Sequence, residues 1–173
     1  MTALLAALLA ATAPAPPVEA VTDVVAARAA HLGLHRVSRE RAQRIAAAVL
    51  EAAGRHRLRP AVLLAVIEVE SAYGALEEST ARCVGLMQLN PRTAPAVARR
   101  LGLRYYHLGR VEHSVALGAA YLRELLDRYG RLDHALSAYN RGPGRFERQG
   151  RPVGTYARRA LRKLPVLEAA LRA

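Results

Sequence analysis

Two carboxylates, Glu68 and Glu70, stand two residues apart at the end of the apolar run AVLLAVIEVE, residues 61–70. On a helix this spacing rotates them about 200° apart, so they cannot share one site. One of the pair can face solvent, and the other must point elsewhere at the helix's C-terminal end. There the negative end of the helix dipole disfavours an ionised carboxyl, and burial pushes the same way. Both effects raise the pKa, which a proton donor needs if it is to stay neutral near pH 7. Taken alone, a Glu at a helix end reads as a solvated or salt-bridged side chain. This one has company. Glu70-Ser71, Gly85-Leu86-Met87-Gln88, Ala138-Tyr139-Asn140 and Gly142-Pro143-Gly144 follow in order across residues 70–144. Other chemistries are excluded more simply. A single cysteine, Cys83, leaves no intrachain disulfide and no Cys-cluster zinc site. Trp is absent, so any stacking platform must come from the seven Tyr.

The elements that position these residues are helices. Ser38 reads as an N-cap, with Glu40 at the positive end of the dipole. Ala42, Ile45, Ala46, Val49 and Ala53 then recur at helical spacing, and Gly54 stands where a C-terminal stop is expected. Pro60 opens the next helix, which is apolar nearly all round and so predicts a buried central element. Asn90-Pro91 predicts a helix start that runs to Leu101 and stops at Gly102. Residues 103–110 read as a loop. Val115, Ala119, Leu122 and Leu126 mark a long amphipathic helix over 112–129, ended by Gly130. A shorter helix over 132–140 is closed by the Gly-Pro-Gly turn, and a last one covers 154–171, open to a break at Pro165. No strand alternation of useful length appears. The expected fold is all-α, several helices around one buried helix.

The chain has 173 residues, enough for one domain. Residues 1–20 read as a leader: ALLAALLAA, then a Pro-rich exit with Val18-Glu19-Ala20 as the cleanest cleavage site, but no basic residue ahead of the apolar stretch. Residues 21–37 read as a linker with a short helix ending near His31, and 38–173 as the main domain. Export to the periplasm or cell envelope follows from that leader. No run reaches the roughly 18 apolar residues of a membrane span. The net charge is +12, and 25 of the 26 basic residues are Arg. Each single Arg reads as composition, yet the sum favours polyanionic surroundings: nucleic acid, an anionic membrane face or an acidic cell-wall polymer. No zinc-finger, phosphate-loop or RNA-binding signature accompanies the charge, so nucleic acid is not the expected partner.

The ordered motifs resemble those of the soluble-type lytic transglycosylases, the SLT domain family, which share a fold with goose-type lysozymes. The resemblance covers about residues 58–160 and includes Pro91, Thr93-Ala94, Gly118, Tyr121-Leu122 and Tyr156. It implies a lysozyme-like helical domain with Glu70 as catalytic acid. It also implies that Ser71 helps to orient the acid, that Gln88 and Thr93 face a glycan groove, and that Met87 is wall or core. Tyr139 would sit near the cleavage point, with its hydroxyl or its ring, Asn140 would steady that turn or contact sugar, and Tyr156 would lie close to the acid. Three positions depart from the family's pattern: Arg82-Cys83 where Gly-Ala is common, Asn90 where Met is frequent, and Ser114 where Asn is usual. The first leaves the groove's shape open.

The resemblance implies that peptidoglycan strands are cut between N-acetylmuramic acid and N-acetylglucosamine by one carboxyl acting first as acid and then as base. No metal or cofactor is implied, and the chain is expected to act as a monomer, with an envelope or secretion assembly as a conceivable partner. Two alternatives stay open. A lysozyme-like hydrolase would need a second carboxylate, for which Glu77 and Glu78 are the candidates. A glycan-binding protein without turnover would follow if the loop change had silenced the site.

Overall fold

The structure, a computed structural model, describes residues 14–33, 37–74 and 83–173. Among the described residues the chain forms eight helices. They are α1 (Val18–His31), α2 (Arg39–His56), α3 (Pro60–Glu70), α4 (Ala94–Arg100), α5 (Val111–Tyr129), α6 (Leu132–Arg141), α7 (Pro143–Arg148) and α8 (Thr155–Ala170). The only extended pairing among them is an isolated bridge between Val84 and Leu89. The all-α expectation holds.

α3 is the axis of the domain. Pro60 occupies its first turn, where the missing N–H costs nothing, and every residue from Ala61 to Glu68 is buried. Its neighbours follow from their apolar stripes. α1 packs on α2, α2 on α5, α5 on α6, and α8 lies across both α3 and α6. Val21, Val25 and Ala29 of α1 are fully buried in the same cluster as Ile45 and Leu63, so this helix shares the body's core. The leader read at residues 1–20 lies outside the described residues as far as residue 13, while Val18-Glu19-Ala20 already form the first turn of α1.

Local chemistry sets the ends. Ser38 accepts a hydrogen bond from the Arg41 N–H, as its N-cap reading requires. The stop expected at Gly54 is corrected. α2 runs on to His56, and Arg57 adopts a left-handed conformation with φ 50°. The Leu58 N–H then reaches back to the Ala53 carbonyl at 2.9 Å. Leu58 is buried, and its apolar contact fixes the cap one turn later than the glycine suggested. The helix expected from Asn90 begins instead at Ala94. The Asn90 side chain accepts from the Arg92 N–H at 2.8 Å and holds a turn that precedes the helix. Gly142-Pro143-Gly144 closes α6 and also opens α7, which the sequence reading did not include; buried Phe146 anchors it between Tyr129 and His134. α8 passes through Pro165 unbroken.

Candidate functional site

Glu70 is the last residue of α3, half-buried where that helix ends. Burial pushes its carboxyl up to about 7; the Tyr156 hydroxyl and the charge of Arg159 pull it only part of the way back. The backbone turns sharply behind it, with Ala72 at φ 48° and Tyr73 at φ 66°. Two tyrosines and a thiol share its surroundings. Burial first, and then the charge of Glu70, hold the hydroxyls of Tyr139 and Tyr156 well above the usual tyrosine range. The same two causes raise the Cys83 thiol.

The segment 84–89 forms one wall. Gly85 has φ 81°, and a Cβ there would run into the Leu108 carbonyl and the Ser114 hydroxyl. Gly118 lets Met87 pack onto α5; a Cβ there would lie 2.6 Å from the Met87 Sδ. The Met87 N–H donates to Ser114 Oγ at 3.1 Å, and the Tyr139 hydroxyl donates to the Met87 carbonyl at 2.9 Å. α5 and α6 thus grip the turn from two sides through atoms that Gly118, Ser114 and Tyr139 supply. Ser114, where Asn is usual in the family, serves here as a support for the turn. α8 is held by α6. The Gly154 N–H donates to Ser137 Oγ at 3.1 Å, which fixes the start of α8 and sets Tyr156 beside Glu70.

The predicted site residues divide accordingly. Glu70, Tyr139 and Tyr156 come together. Tyr139 is buried with its hydroxyl proton committed to Met87 and its ring on Tyr121, centroids 5.3 Å apart. Its hydroxyl is therefore a tie between α6 and the turn. The Tyr156 hydroxyl is the opposite case. It is buried, favours the ionised form of Glu70, and makes no regular hydrogen bond among the described residues. Ser71 is buried and donates to the Ile67 carbonyl at 3.1 Å, which steadies the last turn behind the acid. Met87 is core, with no exposure. Gln88 is buried at φ 45°, and its Nε2 donates to the Gly85 carbonyl at 2.9 Å. Thr93 is half-buried ahead of α4, and Asn140 is exposed on α6 next to Tyr139. Glu77 and Glu78, the candidates for a second carboxylate, lie outside the described residues.

The option of a solvent-facing Glu68 is corrected. Its side chain is fully buried and receives Arg28 at 2.6 and 2.9 Å, Lys163 at 2.6 Å and the Tyr73 hydroxyl at 3.1 Å. Burial pushes its pKa up, but the hydrogen bonds and charges of Arg28 and Lys163 outweigh that and hold it below the ordinary carboxylate value. Two glutamates on one helix end are thus pushed in opposite directions, Glu68 toward its ionised form and Glu70 toward its protonated one. The sequence reading missed Arg159 and Cys83 as neighbours of the acid. The available signals were the helical spacing of Arg159 from Tyr156 and the departure from the family's pattern at Cys83.

The chain is similar to several known proteins. The family model described as "Transglycosylase SLT domain" matches residues 47–161. The membrane-bound lytic murein transglycosylase C of Histophilus somni (strain 2336) is 32% identical over 117 residues, covering 60% of this chain and 32% of its own. The transglycosylase of Enterobacteria phage PRD1 is 36% identical over 91 residues, covering 53% of this chain and 32% of its own. The chain thus spans about a third of the length of these curated relatives. Among solved structures, the lytic transglycosylase Slt of Pseudomonas aeruginosa, determined as an inactive Glu-to-Gln mutant, superposes with TM-score 0.55 at 25% identity, over 72% of this chain and 22% of its own.

Proposed function

Because the chain belongs to the transglycosylase SLT domain family, we propose that it is a peptidoglycan lytic transglycosylase with Glu70 as its acid and base. The observation that carries the reading is a half-buried carboxyl, raised to about 7, at the end of the buried central helix and inside the matched segment. Its similarity to lytic murein transglycosylases, and to one that a Glu-to-Gln change leaves inactive, supports the assignment.

The chemistry follows from one carboxyl used twice. Neutral Glu70 donates its proton to the oxygen of the bond between N-acetylmuramic acid and N-acetylglucosamine, and that bond breaks as the sugar leaves. The substrate's N-acetyl group stabilises the positive charge at C1, which removes the need for a second carboxylate. Ionised Glu70 then takes the proton of the muramic C6 hydroxyl. The C6 oxygen bonds to C1, leaving a 1,6-anhydro end and returning Glu70 to its acid form. A pKa near 7 suits both steps, since neither protonation state is far away. Tyr156, whose hydroxyl already favours the ionised form of Glu70, is suited to stabilise the carboxylate between them. The excess of basic residues draws the protein to an anionic wall, an attraction that salt weakens. Action in the cell envelope follows from the substrate; among the described residues no helix is long and apolar enough to cross a membrane.

The test is mass spectrometry of muropeptides released by the purified protein. Anhydro ends are expected. Reducing ends would replace this reaction with hydrolysis. Glu70→Gln should abolish lysis and keep wall binding; full lysis by that variant would remove Glu70 from the mechanism.

A further inference from the structure

The chain reverses direction immediately after Glu70 by an uncommon route. Ala72 and Tyr73 both lie in the left-handed region, at φ 48° and 66°, where a residue with a Cβ is disfavoured. Two such residues in succession persist only where the surroundings hold them. The Ser71 and Ala72 N–H groups still bond back into α3, to the Ile67 and Glu68 carbonyls at 2.9 and 3.2 Å, so the helix end and the reversal are one unit. A helix end otherwise frays, and Glu70 is the terminal residue of this one.

The Tyr73 side chain, and what it meets, holds that unit. Its ring is fully buried in the main core, and its hydroxyl donates to Glu68 Oε2 at 3.1 Å. Burial, and then the charge of Glu68, keep this hydroxyl well above the usual tyrosine range, so it stays a donor. Glu68 is fixed in turn from two other elements, by Nε and Nη2 of Arg28 on α1 and by Nζ of Lys163 on α8. Glu68 stands about 200° from Glu70 around the helix. The bonds to it therefore grip the end of α3 from behind and leave the acid's own face open. Arg28 and Lys163 lie outside residues 47–161, so this grip is closed by residues that flank the matched segment on either side.

We propose that Arg28, Glu68 and Tyr73 are positioning residues for Glu70: a clamp, with Lys163 as its second anchor, that holds the left-handed turn behind the acid and so fixes where its carboxyl sits. The clamp's use in catalysis rests on the proposed reaction.

Two variants that change no charge test it. Tyr73→Phe keeps the buried ring and removes only the hydroxyl. Arg28→Lys keeps the charge and loses the two-pronged bond, which an ammonium cannot reproduce. Glu68 keeps charged partners in both, so both should fold, and thermal denaturation gives the folded fraction at assay temperature. Arg159 and Tyr156 from α8, Tyr139 from α6 and the Cys83 thiol surround Glu70 among the described residues, and neither change alters them. A shift in the Glu70 titration must then come from a moved carboxyl.

The first measurement needs no cleavage: carbon-13 NMR of the Glu-labelled chain, with Glu70 assigned by the signal lost in Glu70→Gln. In the native chain Glu70 should titrate near 7. In each variant it should drop by about one unit toward its ordinary value as the loosened turn admits water. The second is kinetics on glycan strands, where kcat per folded molecule should fall about tenfold and KM should stay within about twofold, since the changes lie behind the acid. An unmoved Glu70 titration in either variant overturns the clamp. So does a kcat that falls only as the folded fraction falls, or an effect confined to KM. If the titration moves as stated while the native chain cleaves no strand, the proposed reaction fails and the clamp stands.

Discussion

Replacing Glu70 by Gln should change stability in a way that depends on pH. In the folded chain the carboxyl is raised from 4.5 to about 7 by burial. In the unfolded chain it titrates at its ordinary value. Between pH 4.5 and 7 the native state therefore holds the proton and the unfolded state does not, so stability falls as pH rises through this window. At ~1.36 kcal/mol per tenfold difference in proton affinity, the stability lost across the window is about 3 kcal/mol. Gln is neutral at every pH and of similar shape, so it does not carry this loss. The variant should match the native chain near pH 4 and exceed it by about 3 kcal/mol at pH 8. Urea denaturation of both proteins at half-unit pH steps reads the difference directly, and the linear slope m should not change. A difference that stays flat from pH 4 to 8 would falsify the claim that Glu70 is kept neutral by its surroundings, and the acid step with it.

Other substitutions separate the groups around the acid. Glu68→Gln leaves Arg28 and Lys163 without their buried anion and should cost about 3 kcal/mol, the low end for a broken buried pair because both cations reach solvent; thermal denaturation checks it. Tyr156→Phe removes a buried hydroxyl with no regular partner, so stability should change by less than about 1 kcal/mol. The same change should move the basic limb of the pH–rate profile upward, since that hydroxyl favours ionised Glu70. Tyr139→Phe should behave differently, costing about 1–2 kcal/mol because the Met87 carbonyl loses its donor. Gly118→Ala places a methyl 2.6 Å from the Met87 Sδ and should destabilise by about 1–2 kcal/mol in spite of its better helix propensity, again read by denaturation.

What could be read from the residues alone was local. The buried character of α3 followed from an uninterrupted apolar run, and its start from Pro60. Ser38 announced its own cap. The grouping of Glu70 with Tyr139 and Tyr156 came from the resemblance to the SLT domain family that the ordered motifs carry, not from spacing. What escaped was set by partners far along the chain. Glu68 looked like one of two equivalent acids until Arg28, 40 residues before it, and Lys163, 95 after it, closed on it. The destination of the Tyr139 hydroxyl, a carbonyl 52 residues away, is equally invisible to spacing. The stop at Gly54 was misread for a different reason: a glycine marks where a helix can end, but buried Leu58 decided where it does.

The two glutamates show why a strongly basic chain can hold a neutral acid. A cation close to Glu70 would favour its ionised form and remove the proton that the reaction needs. Arg159 does this in part. Arg28 and Lys163 bond instead to Glu68. Glu68 can absorb both because it is ionised, and it is ionised because both are there. Its contribution to stability is present above the ordinary carboxylate pKa and is lost as acid protonates it below that value. The contribution of Glu70 runs the other way, present in acid and lost as pH rises toward 7. From the ordinary carboxylate range up toward pH 7 the chain keeps one carboxylate charged for its architecture and one carboxyl protonated for its chemistry, two residues apart, because α8 presents a cation to the first and a tyrosine to the second.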